Sequence, residues 1–142
     1  MPARTVYLIK RIETEVTNRM NKALTEFDVT LSQFIVLNFV NDNTKDISSA
    51  QLSRRFSMTP QSMNEVVTVL QRKEFIEKKV NLENKRVLLI SLTEKGKNLL
   101  KQCNSTIDAL ENDLFSSLPE QDLHHLRDLI GVLLRGLREV TN

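Results

Sequence analysis

The 142-residue sequence predicts a mainly α-helical fold with one small β-hairpin. Over most of the chain, apolar residues recur every three or four positions, which is the spacing of amphipathic helices. Between Phe75 and Leu92 the pattern changes to two short runs, FIEKKV and RVLLISL, joined by NLENK. Short runs rich in branched residues and separated by turn-forming asparagines are typical of paired strands. We expect one compact domain with long helical extensions.

Composition limits the class of protein. No apolar run approaches the roughly 20 residues needed to span a bilayer, and charges interrupt the N-terminal segment too often for a signal peptide. The single cysteine, Cys103, allows no internal disulfide and no cysteine metal cluster. We therefore expect a cytoplasmic protein that does not contact a membrane.

The formal net charge of +2 conceals an uneven distribution. Residues 51–97 carry ten Lys or Arg against five Asp or Glu. Residues 1–50 carry six of each, and residues 98–142 carry four basic against seven acidic side chains. A basic centre between neutral and acidic flanks favours contact between that centre and a polyanion such as a nucleic acid.

A long amphipathic helix is predicted near the N terminus, from Val6 to Phe27, because its apolar positions step by three and four. Such a helix at the edge of a small domain has little of its own domain to cover it, so we expect it to pack against a partner chain. Thr30 with Gln33 then forms a capping-box pattern that starts a second helix over residues 31–40. The run NDNTKD at 41–46 predicts a turn.

A pair of helices follows this turn. Ser48 with Gln51 repeats the capping-box pattern and starts a short helix over residues 49–56. Only Ser57 and Met58 separate it from the next predicted helix.

That next helix extends from Thr59 to about Lys73. Thr59 is a suitable N-cap, and Pro60 fits the first helical position, where its missing N–H costs nothing. Its apolar side is formed by Met63, Val66, Val67 and Leu70. Its other side carries hydrogen-bonding groups, namely Gln61, Ser62, Asn64, Glu65, Thr68 and Arg72. Two short helices joined by a tight turn indicate a helix-turn-helix, although an ordinary surface helix is also polar on its outer side.

The predicted hairpin directly follows this pair of helices. Its tip presents Lys85 and Arg86, the geometry of a wing that places positive side chains against phosphate or in a narrow minor groove. An ordinary hairpin with a solvated basic tip is the alternative. The position of the hairpin, immediately after a helix-turn-helix, favours the wing.

Two long helices complete the chain. Thr93 is a cap for a helix that extends to about Leu118, and Pro119 starts the last helix, which extends to about Val140. Both helices, like the first one, carry more apolar surface than a single winged domain can cover. A symmetric homodimer would bury it.

Three stretches carry a resemblance to a known family. They are the helix TPQSMNEVVTVL, the segment LQRKEFIEKK after it, and NKRVLLISLTEKG, which holds the wing arginine. Through them the whole chain resembles the MarR-type (multiple antibiotic resistance regulator) winged helix-turn-helix transcription factors. The resemblance implies a homodimer joined by its first and last helices, with a helix in the major groove and a wing at the minor groove. It also implies a ligand-responsive repressor with small phenolic or other aromatic effectors.

The chain departs from the family pattern at several positions. Glu74 stands where the family usually has Gly, so the backbone there must accommodate a side chain. Lys78 stands in place of Arg, and Asn84 in place of an Asp that could form an ion pair with Arg86. Glu65 occupies a position that is often basic, and glutamate there would favour a cytosine amino group.

The predicted DNA-binding residues fall into three groups. Those for base edges are Gln61, Ser62, Asn64, Glu65 and Thr68; those for phosphates are Arg54, Arg55, Thr59 and Arg72; those of the wing are Lys85 and Arg86. Two copies of the helix about 34 Å apart predict a pseudo-palindromic operator in double-stranded DNA. Met20, Phe34 and Phe39 are candidates to line an effector crevice, although apolar residues at helical spacing are more often plain core than pocket.

We assign residues 1–28 to an N-terminal dimerisation helix, 29–96 to the winged helix-turn-helix, and 97–142 to C-terminal dimerisation helices. Two other functions are consistent with the residues: an adaptor that uses the same face for protein contacts, and a redox-responsive regulator acting through Cys103. Phosphate-binding loops, metal motifs and paired nucleophile and base are absent from the sequence, so we expect no enzyme and no cofactor. His124 and His125 are adjacent on a helix and point about 100° apart, which disfavours a shared metal ion.

Overall fold

The computed structural model describes residues 4–43 and 46–141, with side chains described up to residue 138. Within these residues, helices predominate and three short strands form one antiparallel sheet. The elements are α1 (Thr5–Leu24), α2 (Leu31–Asp42), β1 (Ile47–Ser48), α3 (Ser49–Arg55), α4 (Pro60–Arg72), β2 (Ile76–Val80), β3 (Leu88–Leu92), α5 (Glu94–Leu114) and α6 (Glu120–Thr141). The chain divides into two compact units, one that ends at Ile107 and one that begins at Asp108. The predicted fold class is confirmed.

The first predicted helix ends differently from the expectation. Its last turn, Thr25–Phe27, is a 3-10 helix, and Asp28 ends it in the left-handed region with φ 54°. The Asn21 side chain accepts a hydrogen bond from the backbone N–H of Leu31 at 3.0 Å, which fixes the start of α2 against α1. No described helix is long and apolar enough to cross a membrane alone, and the pair that would qualify together is bent by 79°.

Both capping boxes form. Thr30 and Gln33 exchange side-chain and backbone hydrogen bonds at the start of α2, and Ser48 and Gln51 do so at the start of α3. The predicted turn over residues 41–46 starts two residues too early, because α2 continues through Asp42. The next part of that predicted turn, residues 44–45, lies outside the described residues.

The wing belongs to a three-stranded sheet rather than to an isolated hairpin. The strand order is β1-β3-β2, with Ile47 paired with Ile90 and Ile76 paired with Leu92. β3 begins at Leu88, two residues later than predicted. The extra strand β1 has only two residues, too few for an alternating pattern to be visible in the sequence.

The hydrophobic core lies in the first unit, between the sheet and helices α1 to α5. Its fully buried side chains include Leu24, Leu37, Leu52, Met63, Val67, Leu70, Ile90 and Leu100. Residues from both helices of the predicted helix-turn-helix are therefore anchored in one core, which fixes the orientation of their outer faces.

One set of hydrogen bonds joins the segment between α4 and β2 to the start of α5. The Thr93 hydroxyl donates to the backbone carbonyl of Glu74 at 2.6 Å and accepts from the N–H of Gly96 at 3.0 Å. The N–H of Thr93 donates to the carbonyl of Phe75 at 3.1 Å. Glu74 has φ 65°, so a side chain does occupy the left-handed position where the family usually has glycine.

The last two helices differ slightly from their predicted bounds. α5 ends at Leu114 rather than near Leu118, and α6 begins at Glu120, so Pro119 immediately precedes the helix and its carbonyl accepts from the N–H of Leu123 at 3.0 Å. In α6 the exposed large apolar side chains are Leu129, Ile130, Val132, Leu133, Leu134 and Leu137. In α1 they are Val6, Tyr7, Leu8, Ile9 and Ile12.

Candidate nucleic-acid interface

The turn between α3 and α4 is tight and well bonded. Ser57 adopts the left-handed conformation with φ 51°, and the N–H of Met58 donates to the carbonyl of Ser53 at 2.9 Å. Thr59 then caps α4, because its hydroxyl oxygen accepts from the N–H of Ser62 at 3.0 Å. The same hydroxyl donates to the Ser62 Oγ at 2.9 Å. Thr59 and Ser62 therefore lie together at the exposed start of α4.

α4 has a buried side and a polar side, as predicted. Met63, Val67 and Leu70 are completely buried and hold the helix on the core. The opposite side forms one open depression, lined by Gln61, Asn64, Glu65, Thr68, Val69 and Arg72. Four of the five residues predicted for base edges thus share a continuous surface. Val69 was not among the predicted site residues, because a valine within an amphipathic pattern is ordinarily assigned to the core.

A side chain of α3 contacts this surface. The hydroxyl of Ser49, the first residue of α3, donates to the Asn64 Oδ1 at 3.0 Å. Ser49 was not among the predicted site residues. The sequence separates it from Asn64 by a whole helix and a turn, and only the crossing of the two helices brings them together.

Arg54 and Arg55 occupy the last turn of α3, where positive charge is favoured by the helix dipole, and both are exposed. The Arg55 guanidinium lies over the ring of Phe39, 5.5 Å from its centroid. Phe39 in turn packs edge-on against Phe56, with centroids 5.2 Å apart. This cation–π contact restricts the Arg55 side chain beside the helix-turn-helix before any partner is bound.

Basic side chains also lie at the other end of α4, where Arg72 is exposed in the last turn. Lys73, the next residue, is engaged elsewhere: its amine donates to the backbone carbonyl of Asp28 and lies 3.3 Å from the Asp28 carboxylate. Within the described residues, no ion pair involves Arg54, Arg72 or Arg86. These cations are therefore available to an external anion, whereas Lys73 fastens α4 to the segment before α2.

The wing tip is ordered by its asparagines. Asn81 Oδ1 accepts from the N–H of Glu83 at 2.9 Å, and Asn84 Oδ1 accepts from the N–H of Arg86 at 3.2 Å. Asn84 thus fixes the backbone of Arg86 rather than its guanidinium. Lys85 and Arg86 are exposed beyond the paired strands.

The three effector candidates belong to the core of the first unit or border it. Phe34 is buried, with 5% of its surface exposed, while Met20 and Phe39 are partly buried and pack against the core. Phe39 already contacts Phe56 and Arg55. Their arrangement agrees with a role in packing.

Cys103 is completely buried on α5. Burial raises the pKa of its thiol, and the nearby Glu26 carboxylate raises it further. Since the thiolate is the reactive form, the thiol is poorly suited to redox sensing at neutral pH. In the described part of the chain, no group of three His, Cys, Asp or Glu side chains could hold a metal ion, and His124 lies 3.8 Å from Asp128.

We expect Cys103 in the folded protein to react with iodoacetamide at pH 8 at least roughly tenfold more slowly than in urea, because reaction requires local opening and a thiolate.

The raised pKa of Cys103 also predicts that the stability of the protein depends on pH. The unfolded chain releases the thiol proton first, so Cys103 lowers the stability of the folded state as the pH rises above about 8.5. Comparing wild type with Cys103→Ala in urea titrations at pH 7 and 9.5 measures this contribution. Rapid sulfenic acid formation at pH 7 in the native protein would contradict the expectation.

The chain is similar to known transcription regulators in part of its sequence and in its fold. The MarR family model matches residues 27–86, which include α2, α3, α4, β2 and the wing tip. The HTH-type transcriptional repressor Rv2887 of Mycobacterium tuberculosis is 28% identical over 117 residues, covering 81% of this chain and 84% of that protein. The MepR–DNA complex of Staphylococcus aureus has a TM-score of 0.83 at 22% identity, covering 94% of this chain and 98% of that one. A mutant E. coli MarR complexed with operator DNA has a TM-score of 0.81 at 24% identity, covering 90% and 91%.

Proposed function

We propose that this chain, which matches the MarR family model over residues 27–86, is a MarR-type winged helix-turn-helix transcription regulator that binds a specific pseudo-palindromic DNA operator as a homodimer and represses transcription. Repression would be relieved by a small aromatic ligand. The protein would act in the cytoplasm, without enzymatic activity and without a cofactor. The observation that carries the proposal is the exposed polar side of α4, together with basic side chains in the last turn of α3 and in the last turn of α4.

The chemistry of this surface supports a division of roles. Amide, carboxylate and hydroxyl groups at Gln61, Asn64, Glu65 and Thr68 are the groups that recognise base edges in a major groove. Arg54, Arg55 and Arg72 are suited to phosphates, because they are exposed cations of the same two helices. Thr59 and Ser62, already bonded to each other, would meet the DNA at the start of α4.

The exposed apolar side chains support a dimer. Val6, Ile9 and Ile12 of α1 are each more than half exposed, and so are Leu133 and Leu134 of α6. Leaving such surfaces in water is unfavourable, and a twofold partner would cover them. On this basis we retain the assignment of residues 1–28 and 97–142 to dimerisation and of 29–96 to DNA binding.

The ligand response rests on the family resemblance, with Met20, Phe34 and Phe39 as its candidate contacts. To test this ligand response, each member of a panel of phenolic acids is added to the complex of protein and operator, and release of the protein is measured. Release by a phenolic acid, lost when Met20→Ala is introduced, would support the effector site; no release by any member would contradict an aromatic effector.

The experiment that tests the main proposal is selection of bound sites from a random duplex library with the purified protein at near-physiological salt. We expect an inverted repeat with half-sites about one helical turn apart. An absence of enriched sequence, from protein shown to be folded and dimeric, would contradict specific DNA binding and would favour the adaptor function.

Removing the wing cation Arg86 is expected to affect DNA binding differently from removing Asn64. Arg86→Ala should weaken binding on all sequences alike and reduce the slope of log affinity against log salt by about 1, because Arg86 would contact the DNA backbone. Asn64→Ala should instead mainly relax sequence preference. Lys101→Ala, which removes an exposed cation on α5, is the matched control. Fluorescence anisotropy on the selected site and on scrambled DNA separates the two effects, and uniform loss for both variants would refute the division of roles.

A further inference from the structure

The bond between Ser49 and Asn64 joins the two helices of the helix-turn-helix at the candidate DNA surface. Ser49 Oγ donates to Asn64 Oδ1 at 3.0 Å. Ser49 is itself held firmly, because the preceding Ser48 belongs both to the capping box of α3 and to β1, where it pairs with Leu89. The hydroxyl is therefore presented to Asn64 from a rigid position.

This bond determines what Asn64 can offer to a base. A carboxamide has one acceptor oxygen and an NH₂ group with two donors. With Oδ1 bonded to Ser49, the hydrogens of Nδ2 are the group left to face outwards. In the major groove adenine, guanine and thymine all present acceptors, whereas cytosine presents only an amino donor. A donor fixed in this position is therefore mismatched with cytosine.

The neighbouring residue has the opposite chemistry. Glu65 is exposed beside Asn64 on the same surface, and an ionised carboxylate only accepts hydrogen bonds. It favours the cytosine amino group that a fixed Asn64 donor disfavours. The two adjacent positions would then read different base edges.

We propose that Ser49 is a positioning residue that holds the Asn64 amide with its donor side towards the DNA and so excludes cytosine at the base that Asn64 faces. The inference rests on the proposed function, because it requires a specific operator. Ser49 itself need not touch DNA. Its effect on recognition passes through Asn64.

The test uses the full-length protein in site selection from a random duplex library, followed by anisotropy titrations on the selected site and on single-base variants. The proteins are wild type, Ser49→Ala, Ser49→Thr, Asn64→Ala and the double variant Ser49→Ala with Asn64→Ala. Ser105→Ala, which removes an exposed hydroxyl on α5, is the matched control. Thermal melting and the salt dependence of binding are measured for each protein.

In Ser49→Ala we expect discrimination against cytosine to fall roughly threefold to tenfold, the value of one hydrogen bond, at one position in each half-site. Asn64→Ala should relax the same position, the double variant should relax it no further, and Ser49→Thr should retain the wild-type preference. The salt dependence should not change, because neither side chain neutralises a phosphate.

Each other outcome overturns the inference. An unchanged base preference in Ser49→Ala, with a specific wild-type site, would refute the positioning role and leave the proposed function intact. Equal weakening on all sequences with a lowered melting temperature would show that Ser49 is structural. If wild type itself selects no site, both the proposed function and this inference fail.

Discussion

Replacing Gly96 with alanine is expected to lower the free energy of unfolding by about 3 kcal/mol, at the upper end of the usual range for overpacking. A Cβ at this position would lie 2.0 Å from the backbone oxygen of Phe75, far inside van der Waals contact. That oxygen cannot easily move away, because it accepts the hydrogen bond from the N–H of Thr93. The start of α5 would have to separate from Phe75, which lies between α4 and β2.

Urea unfolding followed by circular dichroism, at one fixed protein concentration because a dimer is expected, measures this loss. Gly136→Ala is the matched control, since a Cβ there meets nothing within 4 Å. Alanine in a helix interior is normally favoured over glycine by about 1 kcal/mol, so the control should be neutral or slightly more stable. If Gly96→Ala were as stable as wild type, the close approach of α5 to Phe75 would be refuted.

Placing two negative charges on the apolar side of α6 is expected to convert the proposed dimer into monomer and to reduce operator affinity at least about 100-fold, since two half-sites would no longer be bound together. The variant is Ile130→Glu with Leu134→Glu. These side chains are 44% and 55% exposed in the protomer, so the substitutions should leave its own fold intact. In a dimer each charge would be buried without a partner, which is costly. Light scattering after size-exclusion chromatography gives the oligomeric state, and anisotropy gives the affinity.

The control for this variant carries the same two charges on the other side of the helix. Gln121 and His125 precede Ile130 and Leu134 by nine residues each, which places them about 180° around α6. Gln121→Glu with His125→Glu should remain dimeric and bind normally. A dimeric Ile130→Glu and Leu134→Glu variant with wild-type affinity would contradict the assignment of α6 to dimerisation.

The parts of the fold that the sequence predicted correctly are governed by short-range chemistry. The caps at Thr30, Ser48 and Thr59 were predicted because each depends on residues within three positions of it. The buried side of α4 was predicted because a period of 3.6 residues places Met63, Val67 and Leu70 together, and all three are completely buried. The errors are at the ends of helices. α2 continues two residues into the predicted turn, and α5 stops at Leu114, before its predicted end near Leu118. Helix ends depend on neighbouring elements as much as on local propensity.

The candidate site also combines features that the sequence predicted with features that it did not indicate. Its polar surface on α4 was predicted from spacing, and Gln61, Asn64, Glu65, Thr68 and Arg72 do share one depression. Their contacts with DNA stay a prediction. Three features arise only where segments that are distant in sequence meet. They are the cation–π contact between Arg55 and Phe39, the ion pair between Lys73 and Asp28, and the hydrogen bond between Ser49 and Asn64. Nothing in the spacing of a single segment indicates them.

By itself, the sequence determined the helices, the turn between α3 and α4, the two strands of the wing and the resemblance to one family, since apolar period, caps and motifs are properties of contiguous residues. Only the tertiary structure decided which cations are already engaged, which side chain forms a hydrogen bond with Asn64, and why Gly96 has no room for a side chain. It also added β1, whose two residues become a strand only because β3 offers them an edge to pair with. The physical reason is common to all of these: each depends on a distance between residues that the chain brings together only when it folds.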